Sequence, residues 1–404
     1  MPLESGQFSP QSAAPVVIVG AGQAGAEAAL ALRQGGFPGP VHLFGREAVS
    51  PYERPPLSKG FLLGTILEER LIFRSAAAYE AAGIRLVLGR EVSQLDPANR
   101  RVVLNDGVAV DYAACILATG AEPRPLPVPG GGLPGILLLR SLEHARQLRA
   151  AIVPGLPVVV VGGGYLGLEV AASARKLGAE VTIIEAQPAL LHRSASAITA
   201  EALASRHRAA GVRLLLGRQV ARIEGSVRAD GVTLAHGAFL PASLVLACIG
   251  AKPEVALAQA AGLACDDGIR VDAACRTAFP DLYAIGDCAR QDDPRFGRPV
   301  RLESVQSATW QARCAAAAIL GKALPTPRPA YFWSEQHDAK LQIAGLADPR
   351  MPCDDTLVGD PTGAFAVYRV QDGVLRTVEA VNRPRDFVRA HSLIGQRAVE
   401  LPAA

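Results

Sequence analysis

The chain has 404 residues, half of them hydrophobic and a fifth charged, a core-rich globular composition in a chain longer than one hydrophobic core usually grows. Its 41 basic and 38 acidic residues leave a net charge of +3, too even a balance to point to nucleic acid. Its seven cysteines are odd in number and form no C-x-x-C pair, which argues against a disulfide framework or a metal site, and no uninterrupted apolar run is long enough for a membrane span.

Residues 1–14 read as a loose polar tail without the apolar stretch of a secretory signal, so a cytoplasmic location is expected. Val16 to Val19 is then a run of buried-strand residues that breaks into Gly20-Ala21-Gly22-Gln23-Ala24-Gly25. The spacing G-x-G-x-x-G between a strand and a helix is a dinucleotide-binding turn. Its first glycine permits the tight turn, its second lets the backbone approach a pyrophosphate, and its third lets helix and strand pack closely. The helix from Ala24 to Gln34 meets a stop signal at Gly35-Gly36. The next strand, Val41 to Phe44, ends at Gly45-Arg46-Glu47. An acid at this strand end ordinarily holds ribose hydroxyls; Arg46 stands in the usual place, and Glu47, one step on, is the candidate for the role. Pro55-Pro56 fixes an extended backbone before Leu57-Ser58-Lys59 opens a helical stretch.

Residues 84–104 alternate as strands do, and Asn105-Asp106-Gly107 signals a hairpin. Cys115 to Ala121 reads as a buried strand ending in small residues at Thr119 and Gly120, as needed where a cofactor lies against backbone; the Pro/Gly-rich stretch 123–135 reads as a linker. A second dinucleotide turn follows: Val158 to Val161 runs into Gly162-Gly163-Gly164-Tyr165-Leu166-Gly167. The strand after it ends at Glu185, eighteen residues beyond Gly167. An acid there accepts hydrogen bonds from both ribose hydroxyls and repels a 2′-phosphate, which points to NADH over NADPH.

Leu244 to Gly250 echoes Ile116 to Gly120, an internal duplication that implies two nucleotide-binding domains. Asp281 to Ala289 delivers Gly286-Asp287 to a turn, where an aspartate can hydrogen-bond a ribityl hydroxyl. After a loop containing Arg290, Arg295, Arg298 and Arg301, Ser304 is the expected N-cap of a long alanine-rich helix reaching Leu320. The remainder alternates as strands with a terminal helix and has no dinucleotide turn of its own. The expected fold is α/β: two Rossmann-like dinucleotide-binding domains plus a C-terminal α+β domain. The expected division is 1–119 with 247–323 as one nucleotide-binding domain, 120–246 as the other, and 324–404 for the C-terminal domain.

Four motifs in order, Gly20-x-Gly22-x-x-Gly25, Ala118-Thr119-Gly120, Gly162-x-Gly164-x-x-Gly167-x-Glu169 and Gly286-Asp287, resemble the glutathione-reductase-like FAD flavoproteins. Arg54-Pro55-Pro56-Leu57-Ser58-Lys59, Leu302-Glu303-Ser304-Val305-Gln306 and Phe332-Trp333-Ser334-Glu335-Gln336 narrow the resemblance to the NADH-dependent ferredoxin and rubredoxin reductases of bacterial haem monooxygenases and aromatic-ring dioxygenases.

The resemblance implies that FAD is held by Gly20, Gly22, Ala24, Gly25, Glu47, Arg54, Lys59, Val92, Thr119, Gly120, Arg140, Gly286, Asp287 and Val305. It places NADH on Gly162, Gly164, Tyr165, Gly167, Glu185 and Gly250, and Trp333 near the flavin ring. Lys59 and Glu169 are expected to pair beside the flavin and the nicotinamide, because a buried lysine needs a partner charge; with Trp333 they are the candidate catalytic residues. The implied partner is an acidic two-iron ferredoxin, steered by the rim of Arg290, Arg295, Arg298 and Arg301. The alternatives are a rubredoxin reductase, a same-fold disulfide or peroxide reductase, and an apoptosis-inducing-factor-like interaction flavoprotein. The disulfide reductase is disfavoured because no cysteine precedes Cys115.

Overall fold

A computed structural model describes residues 14–293 and 298–397. The chain forms two compact units: one takes the chain up to Glu53, then Glu69–Glu122 and Lys252–Arg328; the other takes Arg54–Glu68, Pro123–Ala251 and the chain from Pro329 onward.

The first unit is built on a five-stranded parallel sheet in the order Leu282–Ala284, Ala114–Leu117, Val16–Val19, Val41–Gly45, Ile84–Leu88. Strands covered on both faces need near-continuous apolar residues, which is why Val16–Val19 and Ala114–Leu117 are buried at every position. The helix Gln23–Gln34 follows the first strand and packs on the helix Val305–Ile319 through small side chains, Ala24, Ala28, Ala312 and Ala315 among them. A three-stranded antiparallel sheet, Val92–Asp96, Arg101–Leu104 and Ala109–Asp111, covers the other face, and its second turn carries Gly107 at φ +85 as the hairpin signal requires.

The second unit repeats the plan. Its parallel sheet runs Arg213–Leu216, Glu180–Glu185, Pro157–Val161, Leu244–Ala247, Ile136–Leu137. The helix Tyr165–Lys176 follows the central strand, and a second antiparallel triplet, Val220–Glu224, Gly231–Leu234 and Phe239–Pro241, packs on the parallel sheet. In both units the glycine turn leaves the carboxyl end of a central strand with neighbours on both sides, the switch point where open α/β sheets bind ligands. The same unit ends in a five-stranded antiparallel sheet, ordered Tyr331–Gln336, Ala339–Gly345, Val374–Val381, Phe365–Gln371, Asp354–Gly359, with the helix Pro384–His391 on one face. The chain is therefore α/β with two Rossmann-like folds and a C-terminal α+β domain.

The stretch expected to become helical after Pro55-Pro56 is only one 3₁₀ turn, Pro55–Ser58. Lys59 ends it at φ −125 and ψ −107, outside the helical region, and Ser58 is instead tied to the helix Tyr165–Lys176, whose Ser173 hydroxyl donates to the Ser58 carbonyl at 2.7 Å. Among the described residues no helix is long and apolar enough to cross a membrane.

Candidate functional site

The two glycine turns have the same geometry. Gly20 and Gly162 stand at φ +115 and +113, where a side chain is strained, and a Cβ on either would lie 2.1 Å from the Ala118 carbonyl oxygen or 2.3 Å from that of Cys248. A Cβ on Gly25 or Gly167 would lie 1.9 or 2.2 Å from the carbonyl oxygen of Gly20 or Gly162, so the third glycine of each turn brings helix and turn into contact. The middle glycines differ. Gly22 and Gly164 have extended backbones that any residue adopts, and a Cβ there would meet no protein atom within 4 Å. Sterics inside the protein therefore give these two positions no reason to be glycine; open space kept clear for a ligand does.

Each open space faces the start of a helix that has neither a side-chain cap nor an acid in its first turn. The first N–H groups of Gln23–Gln34 and Tyr165–Lys176 are thus left for an anion, with the positive end of the helix dipole behind them. The donor set and the cleared space fit a dinucleotide pyrophosphate in each unit.

Around the first turn, Glu47 accepts a hydrogen bond from the Tyr52 hydroxyl at 2.6 Å, while Arg46 is half exposed and paired with Glu122. The Thr119 hydroxyl donates to the Glu254 carbonyl at 2.6 Å, and Gly120 turns the chain at φ +77. Gly286 adopts φ +76 and donates its N–H to Gln311 at 2.7 Å, which brings Asp287 into a 3₁₀ turn, Gly286–Cys288. Ser304 caps the helix that opens at Val305, accepting from the Ser307 N–H at 3.1 Å. Ala24 is buried in the first turn of its helix, and Val92 is buried in the antiparallel triplet, so its side chain serves the core.

Around the second turn, the Glu185 carboxylate accepts from the Gly163 N–H at 2.6 Å and the Gln187 N–H at 2.7 Å. That holds it at the strand end, over the turn. Gly250 is exposed at φ +102, and its carbonyl accepts from the Arg124 N–H at 2.9 Å.

The same unit brings Lys59 and Glu169 together. Lys59 Nζ lies 2.7 Å from Glu169 Oε2, with side-chain exposures of 17% and 8%. Glu169 sits one turn into the helix after the glycine turn, so its carboxylate points away from solvent. Its Oε2 also accepts from the Ser58 hydroxyl at 2.5 Å, and its Oε1 from the Ser334 hydroxyl at 2.8 Å. A nearly buried carboxylate is thereby satisfied by one ammonium and two hydroxyls. Neither hydroxyl was singled out by the sequence reading, although both lie inside the stretches that carried the resemblance. Arg54 Nη1 donates to the Arg140 carbonyl at 2.6 Å. Trp333 is half-buried in the strand Tyr331–Gln336, stacked on Tyr331 with 5.7 Å between ring centroids, and Tyr165, at the head of its helix, lies against Phe332 at 4.3 Å.

Two members of the arginine rim are engaged with acids. Arg290 pairs with Asp266, and Arg301 with Asp267 and Glu303. Arg295 lies outside the described residues. All seven cysteines are free thiols, and burial pushes their pKa upward, that of Cys248 to about 12. Such thiols are poor nucleophiles at neutral pH, the reverse of what a flavin-linked redox cysteine needs. Among the described residues no group of three or more His, Cys, Asp or Glu side chains is placed to hold a metal ion.

Comparison with known proteins accounts for almost the whole chain. A probable ferredoxin reductase of Castellaniella defragrans is 43% identical over 387 residues, 95% of this chain and 94% of that one. The ferredoxin–NAD(+) reductase component of the biphenyl dioxygenase system of Paraburkholderia xenovorans is 39% identical, covering 95% of this chain and 93% of its own. The crystal structure of a covalent putidaredoxin reductase–putidaredoxin complex superimposes with a TM-score of 0.92 at 38% identity, covering 96% of this chain and 94% of that one. Residues 14–312 match the family described as pyridine nucleotide-disulphide oxidoreductase and residues 331–404 the reductase C-terminal domain. The chain belongs to the pyridine nucleotide-disulphide oxidoreductases, in the branch that carries this C-terminal domain.

Proposed function

We propose that the protein is an FAD-dependent NADH:ferredoxin reductase that supplies electrons, through a two-iron ferredoxin, to a haem monooxygenase or a ring-hydroxylating dioxygenase. The carrying observation is the pair of glycine turns of matching geometry, each keeping one space clear in front of an uncapped helix. Relatives of about 40% identity that span nearly the whole chain supply the reaction class. The free, high-pKa thiols disfavour a disulfide or peroxide reductase of the same fold. The direct test supplies NADH and a panel of two-iron ferredoxins and rubredoxins and follows cytochrome c reduction. Turnover through a two-iron ferredoxin is expected; turnover through rubredoxins alone, or through none, overturns the proposal.

Bound FAD would supply the conversion between two-electron hydride chemistry and single-electron transfer, which needs no protein nucleophile. The residues of this chain bind and orient. In the first unit, Gly20, Gly22 and Gly25 would cradle the FAD pyrophosphate, with Glu47 as the adenosine-ribose acceptor, Asp287 at the ribityl chain and the N-terminus of the helix from Val305 near the flavin carbonyl. In the second, Gly162, Gly164 and Gly167 would cradle NADH, with Glu185 on its ribose. Lys59 and Glu169, held as an ion pair, would place a fixed ammonium and carboxylate beside the nicotinamide.

Glu185 carries the nucleotide preference. Its carboxylate is tied to two backbone N–H groups and cannot swing clear of a 2′-phosphate. Juxtaposing like charges costs several kcal/mol, so NADH should exceed NADPH in kcat/KM by on the order of a hundredfold, and Glu185→Ala should erase most of that ratio. Equal efficiency in the wild type would remove the role.

The ferredoxin is proposed to dock on the arginine loop. Arg290 pairs with Asp266, and Arg301 with Asp267 and Glu303; the test reverses the charges of Arg295 and Arg298. Reversing both charges should raise the KM for ferredoxin in a salt-dependent manner, by about tenfold at low ionic strength, and leave NADH–ferricyanide turnover intact. An unchanged ferredoxin response places the docking surface elsewhere.

A further inference from the structure

Glu169 does not end in the two serines. Ser334 is fully buried and its hydroxyl lies 3.0 Å from Gln336 Nε2. Gln336 Oε1 lies 3.1 Å from Nε2 of His207, itself fully buried. His207 Nδ1 lies 3.1 Å from Nε2 of His337, which stands half-buried in the turn after the strand. Six side chains, Lys59, Glu169, Ser334, Gln336, His207 and His337, thus form one continuous hydrogen-bonded line within the second unit.

The direction of that line follows from its carboxylate end. Glu169 can only accept, so the Ser334 hydroxyl must donate to it, and Ser334 oxygen is then the acceptor for a Gln336 N–H. The amide oxygen of Gln336 is left to accept from His207, which makes His207 the Nε2–H tautomer with Nδ1 an acceptor. His337 must donate in turn from its own Nε2. Every hydrogen therefore points toward Glu169, and turning the Gln336 amide over would leave the single Ser334 hydrogen facing two acceptors.

A neutral His207 fits this arrangement; a second proton on Nδ1 would require His337 to turn its Nε2 into an acceptor. Burial, with His337 adding to it, lowers the His207 pKa to about 4 against a smaller opposing effect of Gln336. Burial and the charges of Lys176 and Arg175 lower that of His337, with Asp338 opposing. His337 takes φ +53 as the first residue of the two-residue hairpin loop between the strands Tyr331–Gln336 and Ala339–Gly345, and its carbonyl accepts from Lys176 Nζ at 3.2 Å.

We propose that Ser334, Gln336, His207 and His337 are positioning residues for hydride transfer, a one-way hydrogen-bond line that holds the Glu169 carboxylate in the orientation in which it presents Lys59. This rests on the reading of Lys59 and Glu169 as nicotinamide-side residues. No proton travels along the line; its function is to remove rotational freedom from one carboxylate.

The test uses the flavin-loaded enzyme. In ¹⁵N-histidine-labelled protein, both His207 and His337 should show the Nε2–H tautomer at neutral pH; an Nδ1–H tautomer for either overturns the line independently of any variant. In stopped flow, Ser334→Ala and Gln336→Leu should each slow flavin reduction by NADH about fivefold, with the NAD⁺ dissociation constant within about twofold of wild type, and Ser334→Thr should recover the rate. Glu169→Gln separates the two readings. If it slows reduction while Ser334→Ala and Gln336→Leu do not, the positioning line falls alone. If it leaves reduction unchanged, the nicotinamide-side role of Glu169 falls and takes the line with it.

Discussion

Gly164→Ala should give a folded yellow protein that NADH reduces poorly. A methyl group at this position meets no protein atom within 4 Å and the backbone conformation suits alanine, so the substitution leaves the protein's own packing alone. It does fill the space in front of the first N–H groups of the helix Tyr165–Lys176. A displacement of bound dinucleotide by about 1 Å is enough to lower kcat/KM for NADH on the order of a hundredfold. Flavin content and denaturation midpoint should stay at wild-type values. Gly22→Ala is the mirror experiment: it should weaken FAD retention, read as flavin lost on gel filtration, while NAD⁺ binding persists. Substitutions at Gly20, Gly25, Gly162 or Gly167 cannot make this distinction, because a Cβ there strikes a backbone carbonyl at 2.3 Å or less and damages the turn itself. Full NADH efficiency in Gly164→Ala would mean that the cleared space is not the pyrophosphate site.

The second large effect concerns the ion pair, and it is asymmetric. Glu169→Ala strands the Lys59 ammonium, whose remaining side-chain hydrogen bond is a long one to the Ser58 hydroxyl at 3.4 Å. Removing one partner of a buried pair costs about 3–5 kcal/mol, and Lys59 at 17% exposure should fall near the lower end. Lys59→Met leaves Glu169 with two hydroxyl donors at 2.5 and 2.8 Å and should cost about half as much. Both should slow flavin reduction by NADH at least about tenfold, since each removes a fixed charge from the reacting region. The checks are denaturation midpoints of the holoenzymes and single-turnover flavin reduction. Lys59→Met proving more destabilising than Glu169→Ala would contradict the hydrogen-bond pattern. Wild-type reduction rates in both would make the pair purely structural.

Glycine spacing was the most legible signal in this chain. At Gly20, Gly25, Gly162 and Gly167 only a hydrogen fits between backbone atoms, so geometry is written directly into residue identity. Strand ends were nearly as plain: Glu185 lies where its spacing from Gly167 put it, and Gly107 and Ser304 turn and cap as their residue types require. The arginine loop was less legible. Counting basic residues pointed to a rim of positive charge, but Asp266, Asp267 and Glu303 neutralise two of its members, and Asp266 and Asp267 are more than twenty residues away from Arg290 and Arg301 in sequence. Composition reports charge; only folding decides which charges meet.

By itself the sequence determined the class of the fold, the duplication of the nucleotide-binding unit and the position of each turn, because these depend on residue type over spans of about ten residues, which local sterics and periodicity control. It also nominated Lys59 and Glu169 as partners. Tertiary structure decided what surrounds that pair. Ser58, Ser334, Gln336 and His207 come from a 3₁₀ turn, a C-terminal strand and a helix separated by more than a hundred residues of chain, and no local pattern marks a serine as the donor to a distant carboxylate. The physical reason is that a buried carboxylate must be satisfied by whatever donors packing brings within about 3 Å, and packing is a property of the whole unit, not of any stretch within it.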